Sequence, residues 1–306
     1  MEKSERMKDF RNLKQQLHTL CPDMDVRENE PMSRHTSFHI GGPAALMALP
    51  STREEAARAV RAAVQAGVEP FFMGNGSNLL VADEGVERFI IKTSNLRQCQ
   101  RQGDTLIADG GITLARLAVF AREQGLTGLE FAHGIPGTLG GAVTMNAGAY
   151  GGEMAQVVSE VTVLTPNGNE ERVSDFGFGY RRSAFSDGDR MILGARLELA
   201  PGDEAQIARR MSELAAQRQS KQPLEWPSAG SMFKRPEGHF AAALIDACGL
   251  KGLRVGDAQV SEKHAGFVVN RGSATCAQVL ELVEQIRQKV LDKTGVTLEM
   301  EVKQLR

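Results

Sequence analysis

Cysteine is scarce in this chain, and its spacing is unproductive. The four thiols, Cys21, Cys99, Cys248 and Cys276, lie 78, 149 and 28 residues apart, so no pair has the short spacing of a zinc or redox motif. The expectation is buried free thiols in a reducing, cytoplasmic setting and no metal site. Excess positive charge is also missing. Lys and Arg number 36 against 38 Asp and Glu, a formal net charge of −2, and no global positive field invites nucleic acid. Long apolar runs are absent too. Met1 to Phe10 is charged and lacks an apolar h-region, which argues against a signal peptide. The uncharged stretch Gly134 to Gly152 is 19 residues long but holds seven glycines, Pro136 and Asn146. A membrane-spanning helix needs ~20 mainly apolar residues, so this stretch reads as a loop system and no membrane partner is expected. A Walker A pattern is missing. So is the dinucleotide fingerprint, because Gly74-Asn75-Gly76-Ser77-Asn78 opens a short strand and Leu79 stands where a third glycine would be.

What is present is a mixed α+β pattern in 306 residues, 42% hydrophobic and 24% charged, enough for two domains. A polar lead-in helix carries Leu13, Leu17 and Leu20 on one face. Ser37 to Ile40 reads as extended. Ser51 and Glu54 form a capping box ahead of Ala56, Ala59, Val60 and Ala63, with Gly67 as the stop. Strands are expected at 70–73, 79–81, 89–91, 105–108, 157–164, 191–199 and 264–270, with a partner of the fifth ending near Val173. Helices are expected over 113–124, 203–220, 241–248 and 275–294, the last stopped by Gly295. In the final segment Val296, Leu298, Met300 and Val302 share one face and Glu299 and Glu301 the other, the alternation of a strand. A boundary falls near 200–222.

Glycine marks the candidate site. At 32 glycines in 306 residues, a 19-residue window should hold about two, not seven. Glycine is costly to order and serves where a backbone must take φ > 0 or approach a ligand closely. Successive N–H groups in tight Gly turns form anion-binding concavities. The 74–78 turn, with Ser77 and Asn78 as added donors, is by itself either such a cradle or an ordinary hairpin. The second cluster, Gly134-Ile135-Pro136-Gly137-Thr138-Leu139-Gly140-Gly141-Ala142, makes a two-sided grip on a diphosphate the better reading. Tyr150 packs against either a ligand ring or the protein.

Several motifs in this order resemble one family. They are R-H-T-S-F at 34–38, G-N-G-S-N at 74–78, G-I-P-G-T-L-G-G at 134–141, N-A-G-A-Y-G at 146–151, F-G-Y-R at 178–181, A-G-S-M-F-K at 229–234 and L-E-M-E-V at 298–302. The chain resembles the UDP-N-acetylenolpyruvoylglucosamine reductases, flavoenzymes of bacterial peptidoglycan synthesis, from about Arg34 to Val302. The polar lead-in helix accounts for 1–30, and the resemblance implies an FAD-binding region of the vanillyl-alcohol-oxidase type at 31–205. That region divides into subdomains at about 31–92 and 93–205. A C-terminal α+β substrate domain follows at 206–306, closing over the substrate, with the last strand returning to the active site. No obligatory protein partner is implied.

The resemblance also implies non-covalent FAD, with no attachment through His35 or His39. The flavin would lie on Gly74, Asn75, Gly76, Ser77, Asn78, Gly134, Ile135, Pro136, Gly137, Thr138, Gly140, Gly141, Ala142, Asn146, Gly148 and Ala149. NADPH would reduce it, and hydride would pass from flavin N5 to the enolpyruvyl double bond of a UDP-sugar. Reducing an enol ether conjugated to a carboxylate builds negative charge on the carboxylate side and needs a proton at C2. Arg181 and Glu301 match the family residues at that carboxylate, and Ser231 matches the proton donor. Arg181 offers a forked cation suited to a carboxylate. Glu301 must be protonated to help, and burial would favour that form. A serine is a poor acid unless neighbouring donors stabilise the alkoxide. Tyr150, Lys221, Lys234, Arg235 and His264 are the substrate-binding candidates. Only 39 residues separate Arg181 from Lys221, which matches the shorter form of the family, without its extra tyrosine-bearing loop. A flavin oxidase and a non-catalytic nucleotide-binding protein are the rival readings. Slow reoxidation by oxygen separates the first from the reductase, and turnover separates the second.

Overall fold

A computed structural model describes the backbone of residues 3–306 and the side chains of residues 10–306. The first two residues of the segment read above for a leader lie outside the described residues. The chain divides into two compact units. Unit 1 comprises residues 1–30, 45–75 and 88–216, and unit 2 comprises 31–44, 76–87 and 217–306. Residues 31–44 and 76–87, assigned from sequence to the first flavin subdomain, thus cluster with the C-terminal residues. The chain passes between units after Asn75, inside the first glycine turn.

Unit 1 holds two cores. The first lies between helix α1 (Lys3–Leu20), helix α2 (Arg53–Gln65) and a four-stranded sheet. The strand order there is 25–31, 43–49, 86–92, 70–73. Leu13 and Leu17 are fully buried, as their spacing predicts, while Leu20 is exposed. They meet Val60, Phe89, Ile91 and Leu193. Two strands of this sheet escaped the sequence reading. Asp25–Pro31 is charged, and its place at the sheet edge explains why; charge blunts exposed edges. Pro43–Leu49 is an Ala/Leu/Met run without β-branched residues, so strand propensity was silent. The capping box is displaced by one residue from the expectation. Thr52 accepts the Glu55 N–H, and Glu55 reaches back to the N–H groups of Ser51 and Thr52.

The second core fills an antiparallel five-stranded sheet in the order 170–173, 158–164, 191–198, 105–109, 99–102. Helix α3 (Leu114–Glu123) and the short helix α4 (Leu139–Thr144) pack on it through Leu114, Leu117, Leu139 and Val143. The strand Met191–Glu198 serves both cores. Met191 and Leu193 belong to the first, Ile192, Ala195 and Leu197 to the second. Helix α5 (Glu204–Lys221) carries the chain out of unit 1.

Unit 2 has a three-stranded antiparallel sheet (254–255, 258–260, 268–270). Helix α6 (Ala241–Ala247) and helix α7 (Cys276–Thr294) accompany it. Phe38, Leu80, Met232, Ile245, Leu282, Ile286 and Leu298 share its core. Thr275 caps α7, Gly295 ends it at φ 71°, and Asp83 accepts the N–H groups of Cys276 and Ala277 at 2.6 and 2.9 Å. Three sequence expectations shift here. Residues 37–38 lie in a turn, 264–267 precede the strand 268–270, and 296–302 forms no ladder strand, holding only the isolated bridge of Met300 to Phe233. The paired strand is instead Lys303–Leu305, parallel to Leu79–Val81. The alternation over 296–302 is real, with Leu298 and Val302 buried and Glu299 exposed. It reports one-sided burial rather than a ladder.

All four thiols are free. Among the described residues no helix is long and apolar enough to cross a membrane, and no cluster of His, Cys, Asp and Glu is arranged for a metal ion.

Candidate active site

In unit 1 the end of the first glycine turn touches the second cluster. A Cβ on Gly74 would sit 2.2 Å from Thr138 Oγ1, so only glycine lets the two segments meet. Thr138 is buried, and its hydroxyl accepts the Gly141 N–H as the cap of α4. Two further bonds fix the cluster from below. Gly140 N–H donates to the Gly110 carbonyl at 2.7 Å, and Leu139 N–H to Ile112 at 2.9 Å. Gly110 follows Asp109, whose buried carboxylate takes both Arg53 Nε and Nη2 at 3.1 and 2.8 Å. Gly134, Ile135 and Gly137 are half-buried, Pro136 and Gly141 are exposed, and Ala142 is buried. Beside them His133 Nδ1 is buried with no hydrogen-bond partner.

The next loop is held by Asn146. It is buried, its Oδ1 accepts the Ala155 N–H at 2.9 Å, and its Nδ2 donates to the Gly179 carbonyl at 3.2 Å. Gly148 and Ala149 pair with Glu153 and Gly152 in a two-residue ribbon. Arg181 Nη2 donates to the Gly148 carbonyl at 3.3 Å, and its guanidinium lies 5.3 Å from the Tyr180 ring centroid. Tyr150 is exposed. Asn146, Tyr150 and Arg181 all have positive φ, at 41°, 54° and 55°. Such conformations are rare for side-chain-bearing residues and cluster at functional sites.

Unit 2 gathers the remaining candidates on one irregular backbone lattice. Phe233 bridges Met300, Lys234 N–H donates to the Glu299 carbonyl, and Glu301 N–H donates to the Met232 carbonyl, both at 2.9 Å. Ser231 follows Gly230 (φ 80°), is exposed, and bridges Phe267. From the other side Asn78 Nδ2 donates to the Glu301 carbonyl at 3.2 Å, and the Asn78 carbonyl accepts Lys303 N–H at 3.0 Å. The Gly76 carbonyl accepts the Ser37 N–H at 3.4 Å. Glu301 is half-buried.

Of the cationic candidates, Lys234 is ion-paired with Glu299. Arg235 is exposed, with its guanidinium 4.7 Å from the Phe240 ring centroid. Lys221 ends α5, exposed. His264 Nδ1 accepts the Gly266 N–H at 3.1 Å, and its ring meets Phe267 edge-on. That bond places the neutral ring's proton on Nε2. Burial pushes the imidazole below its ordinary value.

The chain was compared with known proteins. A family model described as the UDP-N-acetylenolpyruvoylglucosamine reductase C-terminal domain matches residues 222–305, and an FAD binding domain model matches 44–174. The UDP-N-acetylenolpyruvoylglucosamine reductase of Caldanaerobacter subterraneus is 47% identical over 277 residues, 90% of this chain and 92% of that one. The chain belongs to this reductase family. The Syntrophomonas wolfei reductase is 44% identical over 94% of this chain and 97% of its own. The crystal structure of the Thermus caldophilus reductase superposes with a TM-score of 0.80 at 38% identity, covering 92% of this chain and all of that one. Membership makes the chain an FAD-dependent oxidoreductase, with a flavin-binding region of the vanillyl-alcohol-oxidase type and a C-terminal α+β domain.

The residues present fit the flavin of this reductase family. The Gly74–Thr138 contact leaves no room for a side chain. The cluster from Gly134 to Ala142 is uncharged and rich in backbone groups, and His133 Nδ1 beside it is an orphaned polar atom. The structure groups the sequence candidates by unit. Arg181 stands with Asn146 and Gly148 in unit 1, and Ser231 and Glu301 share the lattice of unit 2. The sequence reading missed His133, although it immediately precedes Gly134. It also missed Arg53 and Asp109, which carry no local motif because they lie 56 residues apart.

Proposed function

We propose that the chain reduces UDP-N-acetylglucosamine enolpyruvate to UDP-N-acetylmuramate with NADPH as donor, in the cytoplasm, for peptidoglycan precursor synthesis. Bound FAD would supply the hydride chemistry between NADPH and C3 of the enolpyruvyl group. Arg181 holds the substrate carboxylate through its guanidinium fork, a geometry lysine does not reproduce. Glu301, in its protonated form, donates a hydrogen bond to the same carboxylate as negative charge develops there. Ser231 delivers the proton to C2. Lys221, Lys234 and Arg235 bind the diphosphate, His264 presents Nε2–H to the substrate, and Tyr150 packs on it. The glycine segments at 74–78 and 134–142, with Gly148 and Ala149, would hold the flavin.

The observation that carries this reading is the register in which the Met232 carbonyl accepts the Glu301 N–H. It joins the backbone of the segment carrying Ser231 to that carrying Glu301, and both residues lie within the matched residues 222–305, which supports a shared site. The test is a visible spectrum of the purified protein followed by anaerobic additions. Flavin bands should bleach with NADPH and return on adding the UDP-enolpyruvyl sugar. Bleaching that only oxygen reverses points to an oxidase. A colourless protein that takes up no FAD overturns the reading.

A further inference from the structure

Asn146 stands among the flavin-binding candidates, yet both polar atoms of its side chain are committed to protein. Oδ1 takes the Ala155 N–H, and Nδ2 donates to the Gly179 carbonyl. At 2% exposure, the side chain is sealed from solvent.

Gly179 begins a tight turn that closes on Arg182 through two reciprocal backbone bonds of 3.1 and 3.3 Å. Arg181 lies inside that turn at φ 55°. An L side chain holds such a conformation only where its surroundings impose it. The far end of the same side chain is tethered as well, since Nη2 donates to the Gly148 carbonyl. Gly148 is two residues from Asn146. The one buried amide is therefore tied to both ends of Arg181, through the Gly179 turn at its backbone and through the 146–148 loop at its guanidinium.

We propose that Asn146 is a positioning residue for Arg181, fixing the turn and the tether that aim the guanidinium, rather than a flavin ligand. This rests on the reading of Arg181 as the carboxylate partner. A guanidinium fork recognises a carboxylate only when its plane is set, and a misplacement of ~1 Å can cost about 10²-fold in rate.

The experiment is a double-mutant cycle in the full-length holoenzyme. Asn146→Gly tolerates the positive φ and removes the side chain. Asn146→Asp keeps the acceptor for Ala155 and removes the donor to Gly179, so it serves if the glycine variant does not fold. Either should keep one FAD per chain, measured by flavin fluorescence titration, and leave bleaching by NADPH within about twofold. Either should slow reoxidation by the UDP-enolpyruvyl sugar by ~10- to 10²-fold. In an Arg181→Gln background the same substitutions should add almost nothing, since coupled residues are non-additive. Additive penalties, or loss of FAD as the main effect, overturn the assignment of Asn146 while leaving Arg181 in place. If Arg181→Gln alone leaves the second half-reaction intact, the reading of Arg181 fails and this inference fails with it.

Discussion

The side-chain amide of Asn78 donates to the main-chain carbonyl of Glu301 across 223 residues of sequence. The motif that looks like a phosphate turn thus also brackets the backbone of a proposed catalytic residue. The bracket is two-sided, because the Asn78 carbonyl accepts the N–H of Lys303.

Replacing Asn78 by alanine should therefore affect turnover more than folding. One hydrogen bond of this kind is worth about 1 kcal/mol of stability. The Glu301 backbone loses an anchor, and kcat for the UDP-enolpyruvyl substrate should fall by ~10-fold or more, within the cost of small misplacements. Urea denaturation and steady-state kinetics on the same preparation separate the two effects. A large stability loss with unchanged kcat would show that the bracket is structural only.

Ser231→Ala removes the proposed proton donor and little else, since Ser231 is exposed and meets Phe267 through a backbone bridge. A general acid contributes ~10²–10⁴ in rate, so kcat should drop by that order. Flavin reduction by NADPH should survive. Stopped-flow traces of the two half-reactions decide the matter, and equal loss in both would remove Ser231 from the proton-donor role.

Asp109→Asn breaks the pairing with Arg53, in which the Asp109 side chain is 11% exposed and also takes the Gln98 N–H at 3.0 Å. Charge-assisted bonds of this class carry about 1.5–3 kcal/mol, and chemical denaturation should register a loss of that size. Because Gly110 next to it accepts the Gly140 N–H, FAD affinity should weaken too. Unchanged affinity in a destabilised variant would detach this pair from the flavin loop.

His264 gives a pH signature. Burial is the main cause of its lowered pKa, with Lys251 adding to it. The folded chain thus resists a proton that the unfolded chain accepts near pH 6.5. Above that pH the group makes stability neither rise nor fall. As pH drops below it, stability declines until the folded value is passed. NMR of the His264 ring should show an inflection below ~6.5, and His264→Gln should flatten the acid limb of a stability profile. An inflection at or above the ordinary value contradicts the burial argument.

The sequence legibility of this protein followed the range of its signals. Helices α2, α3 and α7 were readable because apolar spacing, caps and stop glycines all lie within each segment. The glycine segments at 74–78 and 134–142 stand out because glycine enrichment is a local property. The edge strand Asp25–Pro31 was silent because its composition answers to solvent. Likewise the commitments of Asn78 and Asn146 were invisible. Each was legible as a polar residue in a glycine turn, but its partner lies far along the chain. The alternation at 296–302 named the buried face correctly and misnamed the element, since period-2 burial needs only an extended backbone with one side covered.

Met191 and Leu193 insert into one core of unit 1 while Ile192, Ala195 and Leu197 insert into the other. The strand acts as a shared wall, and neither half of the unit possesses a complete interior without it. The halves should melt in one transition, and excising either should leave a fragment with an open apolar face. A void cut at Leu193, in the first core, should then weaken FAD binding if the Gly134–Ala142 loop holds the cofactor as proposed.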